Sequence, residues 1–234
     1  SGTNKTVNLT FMPLVAAEED KELGSMMMFE DISSEKRMKS TMSRYMDPVI
    51  AAQMMEGDGQ EFLGGVSAEA TVMFTDVRGF TTITEEYGAQ GTVSFLNEYF
   101  SLMVDCISKE GGMLDKFIGD AIMACFGLPI PHDDDPDRAM RASIAMIQTL
   151  WAWNQTRLTK GLKTVDMGIG LNTDIVVSGN IGSPKRMDYT LIGDGVNLAA
   201  RLESACKSYA ARILVSDATV QQLKGTYRMR AVDL

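Results

Sequence analysis

Two short stretches decide both the fold and the chemistry of this chain: Phe-Thr-Asp-Val-Arg-Gly-Phe-Thr at residues 74–81 and Lys-Phe-Ile-Gly-Asp-Ala at residues 116–121. Each places one carboxylate where an apolar run typical of a β-strand meets a glycine turn. A carboxylate in that position is held at a strand end instead of moving freely on a helix surface. Two such groups brought together would form a site of hard oxygen ligands, which suits Mg²⁺ or Mn²⁺ and phosphoryl chemistry.

The order of the apolar runs around these stretches predicts the topology. From residue 66 the pattern indicates strand, helix, strand, strand, helix and strand, with the first strand over 70–74. The simplest right-handed connection is a ferredoxin-like βαββαβ core, an α+β fold to which further strands and helices are added. In that arrangement the third strand lies between the first two, so its start at Asp120 meets the end of the first strand at Asp76. Topology alone therefore predicts that the two carboxylates are neighbours.

Hydrophobic periodicity predicts how the later elements pack. The helix over 137–158 repeats apolar residues every three or four positions, which indicates one face directed to the core. The residues expected on that face are Met140, Ile144, Ile147 and Trp151. Two separate strands over 165–171 and 175–181 are expected next, followed by a helix over 196–209.

The paired aspartates have a structural explanation as well as a functional one. An aspartate at a strand end is most often a turn or helix cap, and Asp76 could cap the helix that follows it. The pair is harder to explain in this way, because two like charges at close range are costly without a basic partner and a divalent cation would remove that cost. Gly79, Phe80 and Thr81 open the helix, and their backbone N–H groups favour a phosphate next to such a cation.

The composition argues against several other functions. A formal charge of −9 over 234 residues opposes nucleic-acid binding. The single histidine, His132, argues against a Ser-His-Asp triad or a histidine-ligated zinc. Three cysteines without Cys-x-x-Cys spacing suit a reducing compartment, so we expect a cytoplasmic catalytic domain. No apolar run approaches the ~20 residues of a membrane span, so membrane contact of this chain is not expected, although a longer parent protein could be attached to a membrane.

Three motifs, in order along the chain, resemble those of the class III nucleotidyl cyclase catalytic domain. They are residues 74–81, Asp-Lys-Phe-Ile-Gly-Asp-Ala-Ile-Met-Ala at residues 115–124, and Gly-Asp-Gly-Val-Asn-Leu-Ala-Ala-Arg at residues 193–201. The resemblance covers roughly residues 66–234. It implies conversion of a nucleoside triphosphate to its 3′,5′-cyclic monophosphate and pyrophosphate, at sites shared between the two chains of a homodimer.

The resemblance also implies a role for each motif residue. Asp76 and Asp120 would hold two Mg²⁺ or Mn²⁺ ions, and Val77 would add a backbone carbonyl. One ion would lower the pKa of the ribose 3′-hydroxyl, and the other would bind the β- and γ-phosphates. Asn197 would orient the ribose, and Arg201 would stabilise charge on the α-phosphoryl group. Taken alone, two polar residues spaced four apart are more typical of a solvated helix face.

Lys116 and Thr190 lie where this family selects its purine. A lysine paired with Asp or Thr resembles the adenine-selective pattern, whereas guanylyl cyclases place Glu and usually Cys at these positions. An ammonium and a hydroxyl match the N1 acceptor and 6-amino donor of adenine, so ATP is the expected substrate and a guanylyl cyclase is the nearest alternative. Lys185 or its neighbour Arg186 could contact the terminal phosphates, although a solvated turn would have the same sequence.

The resemblance divides the chain into three segments. Residues 1–33 resemble the last strands of an upstream PAS-like sensor domain, and residues 34–65 read as a signalling helix with a linker, although a simple packing helix is equally compatible. Residues 66–234 are the catalytic domain, whose C-terminal end is expected to be truncated. A non-catalytic relative is opposed by the presence of both aspartates, the asparagine and the arginine. A cyclic-dinucleotide synthase is opposed by the lack of a Gly-Gly-Asp-Glu-Phe signature.

Overall fold

The computed structural model describes residues 5–15, 22–34, 36, 65–183 and 185–232. The chain forms two compact units that divide between residues 56 and 57. The expected signalling helix and linker over 34–65 lie almost wholly outside the described residues. Among the helices that are described, none is long and apolar enough to cross a membrane.

The N-terminal unit contains an antiparallel hairpin of β1 (Val7–Val15) and β2 (Glu22–Asp31). Strands were expected in residues 1–33, and the structure confirms two that pair with each other. Large apolar side chains of both strands are exposed, including Phe11 at 60% and Phe29 at 64%. An isolated hairpin of this kind is marginally stable in water. Its assignment to a PAS-like domain stays a prediction.

The second unit is a six-stranded sheet with helices. The elements are β3 (Val66–Val77), α1 (Phe80–Lys109), β4 (Met113–Ile118), β5 (Ala121–Phe126), α2 (Asp135–Thr159), β6 (Met167–Ser183), β7 (Arg186–Ile192), α3 (Asp194–Ala205), β8 (Ile213–Val215) and α4 (Asp217–Val220). The strand order is β4-β5-β3-β6-β7, and β8 runs parallel to β6.

The strand order confirms the predicted ferredoxin-like core. β5 lies between β4 and β3 and is antiparallel to both, while β6 pairs with the other edge of β3. Near the end of β3, Thr75 lies opposite Ile122, close to the start of β5. The topology therefore brings the end of the first strand of the domain to the start of the third, as expected.

The hydrophobic core joins the sheet to α1 and α2. β3 contributes the fully buried Val72 and Met73, and α1 contributes Tyr99, Met103 and Ile107. Full burial of one such side chain stabilises the fold by about 1.5–3 kcal/mol. Val77, which directly follows Asp76, is also buried in this core, so the core fixes the end of β3 that carries the candidate site residue.

The predicted core face of α2 is partly wrong. Met140 is buried and Ile147 packs against the core, but Ile144 is 37% exposed and Trp151 is 67% exposed. The helix carries two overlapping apolar stripes, and periodicity alone does not choose between them. The stripe that packs contains small residues, which allow a close approach to the sheet. Its members are Ala139, Ala142, Met146, Leu150 and Trp153.

The strands between residues 165 and 192 also differ from the prediction in two ways. β6 is one continuous strand of 17 residues, because β3 pairs with it from Met167 to Ser178. The polar residues in its middle have internal partners: Asn172 donates to the Gly195 carbonyl at 2.9 Å, and the hydroxyls of Thr173 and Thr71 are hydrogen-bonded at 2.8 Å. The strand β7 was not predicted at all. The following helix, expected over 196–209, spans Asp194–Ala205.

Candidate active site

Asp76 and Asp120 lie side by side at one end of the sheet. Asp76 is the penultimate residue of β3, opposite Gly168 of β6. Asp120 stands in the turn between β4 and β5, directly after Gly119, whose φ of +65° favours glycine. The two carboxylates are close enough for the charge of Asp76 to act on Asp120. The predicted adjacency is therefore confirmed.

This pair has an electrostatic cost. Burial and then the charge of Asp76 raise the pKa of Asp120 to about 6, while the backbone N–H of Val77 donates to the carboxylate and opposes the rise. Among the ion pairs formed by the described residues, none includes Asp76 or Asp120. Two carboxylates in contact without a cationic partner are the arrangement that a bound metal ion would stabilise.

A third carboxylate, Glu203 of α3, adds to this negative region. Burial and then the charge of Asp76 raise the pKa of Glu203 to about 7, and Arg78 opposes the rise. Glu203 Oε1 lies 2.5 Å from where a Cβ on Gly168 would be, and Gly168 pairs with Asp76. Sequence reasoning missed Glu203, although glycines at 168 and 170 inside one strand indicate close approach of another segment.

The oxygen ligands at this end of the sheet fit a hard divalent cation. Across residues 65–183 and 185–232, as in the described part of the hairpin unit, no group of three or more His, Cys, Asp or Glu side chains has the geometry of a metal site. Asp76 and Asp120 therefore offer an incomplete set of ligands. Mg²⁺ is commonly bound in this way, by one or two carboxylates together with substrate phosphates.

The start of α1 offers backbone N–H groups next to this pair. Gly79 precedes the helix in the left-handed conformation, with φ of +69°, and its carbonyl accepts from the N–H of Thr82 at 3.0 Å. Phe80 packs against Phe95 at 6.5 Å between ring centroids, while Thr81 is exposed. The first turn contains no acidic residue. The free N–H groups of a helix start favour an anion such as phosphate.

Lys116 and Thr190 are brought together by a residue that sequence reasoning did not single out, Asp115. β4 and β7 are the two ends of the strand order, yet Thr190 Oγ1 on β7 donates to Asp115 Oδ2 on β4 at 2.8 Å. Lys116 Nζ lies 3.6 Å from the same oxygen. Lys116 is 35% exposed and the side chain of Asp115 is fully buried. The predicted purine-selecting pair therefore forms one polar cluster.

Asn197 and Arg201 lie on the exposed face of α3. Arg201 Nε donates to the backbone carbonyl of Asn197 at 3.4 Å. The opposite face of the helix, with Val196 and Ala199, is buried against the sheet. The two residues therefore lie on the side of α3 that faces away from the sheet.

Lys185 stands apart from the other candidate residues. It is exposed in the turn between β6 and β7, where Ser183 pairs with Arg186. At about 3.3 Å per residue along β7, this turn lies more than about 10 Å from Thr190. A contact between Lys185 and terminal phosphates stays a prediction.

Comparisons with known proteins identify the family. The model of the adenylate and guanylate cyclase catalytic domain matches residues 66–233. An adenylate cyclase of Anabaena cylindrica is 37% identical over 169 residues, which are 70% of this chain and 33% of that protein. The chain spans a third or less of the length of the first curated relatives.

Solved structures with the same fold include enzymes for both purines. The guanylyl cyclase Cya2 is 38% identical, with a TM-score of 0.64 over 70% of this chain and 82% of that one. The adenylyl cyclase CyaB from P. aeruginosa is 37% identical, with a TM-score of 0.63 over 68% of this chain and 82% of that one. Overall identity to these structures therefore does not distinguish between ATP and GTP as the substrate.

Proposed function

The chain belongs to the adenylate and guanylate cyclase catalytic domain family, and on that premise we propose that it is an adenylate cyclase that converts ATP to 3′,5′-cyclic AMP and pyrophosphate. The observation that carries the proposal is the close approach of Asp76 and Asp120, neither of which forms an ion pair with a described basic side chain. The reaction forms one bond, from the ribose 3′-oxygen to the α-phosphorus. It breaks the bond between the α-phosphorus and the oxygen that bridges to the β-phosphate, and the proton of the 3′-hydroxyl is released to solvent.

The two aspartates are proposed to hold the metal ions of this reaction. Enzymes of this family generally use divalent cations, and Asp76, Asp120 and the Val77 carbonyl would hold two Mg²⁺ or Mn²⁺ ions per site. Ions held there would supply Lewis-acid chemistry, which would lower the pKa of the ribose 3′-hydroxyl and offset the charge of the leaving pyrophosphate. The N–H groups of Gly79, Phe80 and Thr81 are proposed to bind the phosphates. Lys185 is proposed to contact the terminal phosphates.

A homodimer is proposed because one chain does not bring all these groups together. Asn197 and Arg201 are exposed on the side of α3 that faces away from the sheet, whereas Asp76 and Asp120 lie at the sheet end. In a symmetric dimer each interface patch meets its own copy, so two equivalent sites can form. In each, the aspartates of one chain would face Lys116, Thr190, Asn197 and Arg201 of the other.

Asn197 and Arg201 are proposed to act on the sugar and on the α-phosphate. The amide of Asn197 would fix the ribose so that its 3′-oxygen is in line with the bond that breaks. The guanidinium of Arg201 would donate to the α-phosphoryl oxygens as negative charge develops on them. A contact that strengthens in the transition state raises kcat rather than substrate affinity.

Lys116 and Thr190 favour adenine over guanine. The Lys116 ammonium is a donor that suits N1 of adenine and opposes the N1–H of guanine. A hydroxyl at Thr190 suits the 6-amino group. This pair, rather than overall identity, supports ATP as the substrate.

Parallel assays with ATP and GTP test the proposal. The protein is incubated with each nucleotide and Mn²⁺, and the cyclic product and pyrophosphate are separated by chromatography and quantified. We expect cyclic AMP as the main product and its loss in Asp120→Asn. A folded dimer that forms cyclic GMP faster would make the protein a guanylyl cyclase. A folded dimer that forms neither product would refute cyclase activity.

A further inference from the structure

Asp115 is the most deeply buried charged group of the purine cluster. Its side chain is fully buried, although the neighbouring Lys116 side chain is 35% exposed. Its Oδ2 accepts from the Thr190 hydroxyl at 2.8 Å. Its Oδ1 is buried and, among the described residues, has no hydrogen-bond partner.

This burial is costly, and packing alone does not account for it. A buried polar atom without a partner costs about 1–3 kcal/mol, and an apolar residue of similar size would avoid that cost. Burial raises the pKa of Asp115, while the hydrogen bond from Thr190 and the charge of Lys116 oppose the rise. Buried polar groups that are not fully satisfied are expected mainly at functional sites.

The hydrogen bond to Asp115 determines what Thr190 can offer to a ligand. A threonine hydroxyl has one proton to donate and two lone pairs that can accept. A carboxylate can only accept, so the proton of Thr190 is used by Asp115. The oxygen of Thr190 is then left as an acceptor. Adenine presents a donor at its 6-amino group, whereas guanine presents an acceptor at its 6-oxo group.

We propose that Asp115 is a specificity-determining positioning residue, which turns the Thr190 hydroxyl into an acceptor and so selects a 6-amino purine over a 6-oxo purine. The inference rests on the proposed cyclase function and deepens it, since it explains how a hydroxyl that could serve either purine is restricted to one. Asp115 also lies 3.6 Å from the Lys116 ammonium and holds that donor beside the hydroxyl. A single buried carboxylate thereby orients both groups that face the base.

The experiment compares three substrates that differ at position 6 of the purine. They are ATP, GTP and purine riboside triphosphate, which has neither an amino nor an oxo group there. Values of kcat/KM are measured with Mn²⁺ for the full chain and for Asp115→Asn, Thr190→Val and the conservative Thr190→Ser. The asparagine amide can donate to the Thr190 oxygen, which frees the hydroxyl proton for a 6-oxo group.

The expected result is a change in discrimination rather than a uniform loss. The unaltered protein should prefer ATP to purine riboside triphosphate by about tenfold, the value of one well-placed hydrogen bond. In Asp115→Asn the ratio of kcat/KM for ATP to that for purine riboside triphosphate should fall towards one. The ratio of kcat/KM for GTP to that for ATP should rise by about tenfold. Thr190→Val should also lose the preference for ATP over purine riboside triphosphate, whereas Thr190→Ser should keep it. In the double variant, Asp115→Asn should change the kcat/KM ratios no further than Thr190→Val alone.

A role confined to stability gives a different pattern. If Asp115→Asn lowers kcat/KM for all three substrates by one factor, Asp115 only supports the fold and the proposal is overturned. If that variant does not fold, the two Thr190 variants still decide, because a valine variant that discriminates like the unaltered protein overturns it too. Failure of the unaltered chain to cyclise any of the three would instead count against the cyclase assignment.

Discussion

The carboxylates of Asp76 and Asp120 lie in contact although one ends a strand and the other stands in a distant hairpin turn, and the charge of Asp76 helps to raise the pKa of Asp120 to about 6. Two features of the fold bring them together: β5 lies beside β3, and Gly119 turns the chain directly before Asp120. The fold therefore holds two like charges close together at this end of the sheet. Each prediction below follows from that geometry or from its surroundings.

The first prediction concerns the pH dependence of stability in the cation-free protein. The pKa of Asp120 rises from 3.8 in the unfolded chain to about 6 in the folded protein. Between these values the folded protein binds more protons, so the free energy of unfolding falls as pH rises through this window. Urea unfolding in EDTA should show that fall, and Asp120→Asn should reduce its slope. An unchanged slope in the variant would contradict the shifted pKa.

The second prediction concerns shared sites. Asp76→Ala and Asn197→Ala should each be inactive alone. Mixed in equal amounts and allowed to exchange, they should recover roughly a quarter of the normal activity, because about half the dimers are mixed and each has one intact site of two. Pull-down with two different tags confirms that mixed dimers form. Mixed dimers without activity would contradict a site built from both chains.

The third prediction concerns Arg201. Arg201→Ala should lower kcat by about 10²–10³-fold with a small change in KM, because the contact is proposed to strengthen in the transition state. Arg201→Lys, which keeps the charge but not the planar donor pair, should recover only part of the loss. Steady-state kinetics with Mn²⁺-ATP make the comparison. A rise in KM at constant kcat would assign Arg201 to substrate binding instead.

The fourth prediction uses two glycines of β6 that lie under α3. A Cβ on Gly170 would meet backbone atoms of Ala199 and Glu203, whereas on Gly168 its nearest neighbour would be the end of the Glu203 side chain. Gly170→Ala should therefore cost more stability, about 1–3 kcal/mol, and should lower kcat by displacing α3. Gly168→Ala is the matched control, since a side chain can move aside. Equal losses in chemical denaturation would be evidence against this packing.

Sequence reasoning was most successful where topology and local motifs agreed. The turn at Gly119 and the order of strands and helices led to the same neighbourhood for Asp76 and Asp120, and the structure confirms it. The predicted turn and the predicted element order depend on apolar runs that end in glycine turns and on one right-handed connection. Such features can be read from a single chain.

The parts that could not be predicted depend on distant neighbours. β6 continues through Asn172 and Thr173 because side chains elsewhere satisfy them, and nothing in the local pattern shows that. Asp115 accepts a hydrogen bond from Thr190, and this contact forms because β4 and β7, at the two ends of the strand order, lie close together here. Trp151 and Trp153 lie on different faces of α2, and Trp153 is the buried one because it packs against Phe95 and Tyr99 of α1.

The most direct test of the central claim is titration calorimetry with Mn²⁺ and 3′-deoxy-ATP, which lacks the attacking hydroxyl and so stays unreacted. If Asp76 and Asp120 hold the cations that bind the nucleotide, the unaltered dimer should bind this analogue much more tightly with Mn²⁺ than with EDTA. Asp76→Asn and Asp120→Asn should both lose that difference while remaining folded and dimeric. Equal affinity in the presence and absence of Mn²⁺, or full cation dependence in both variants, would contradict the claim.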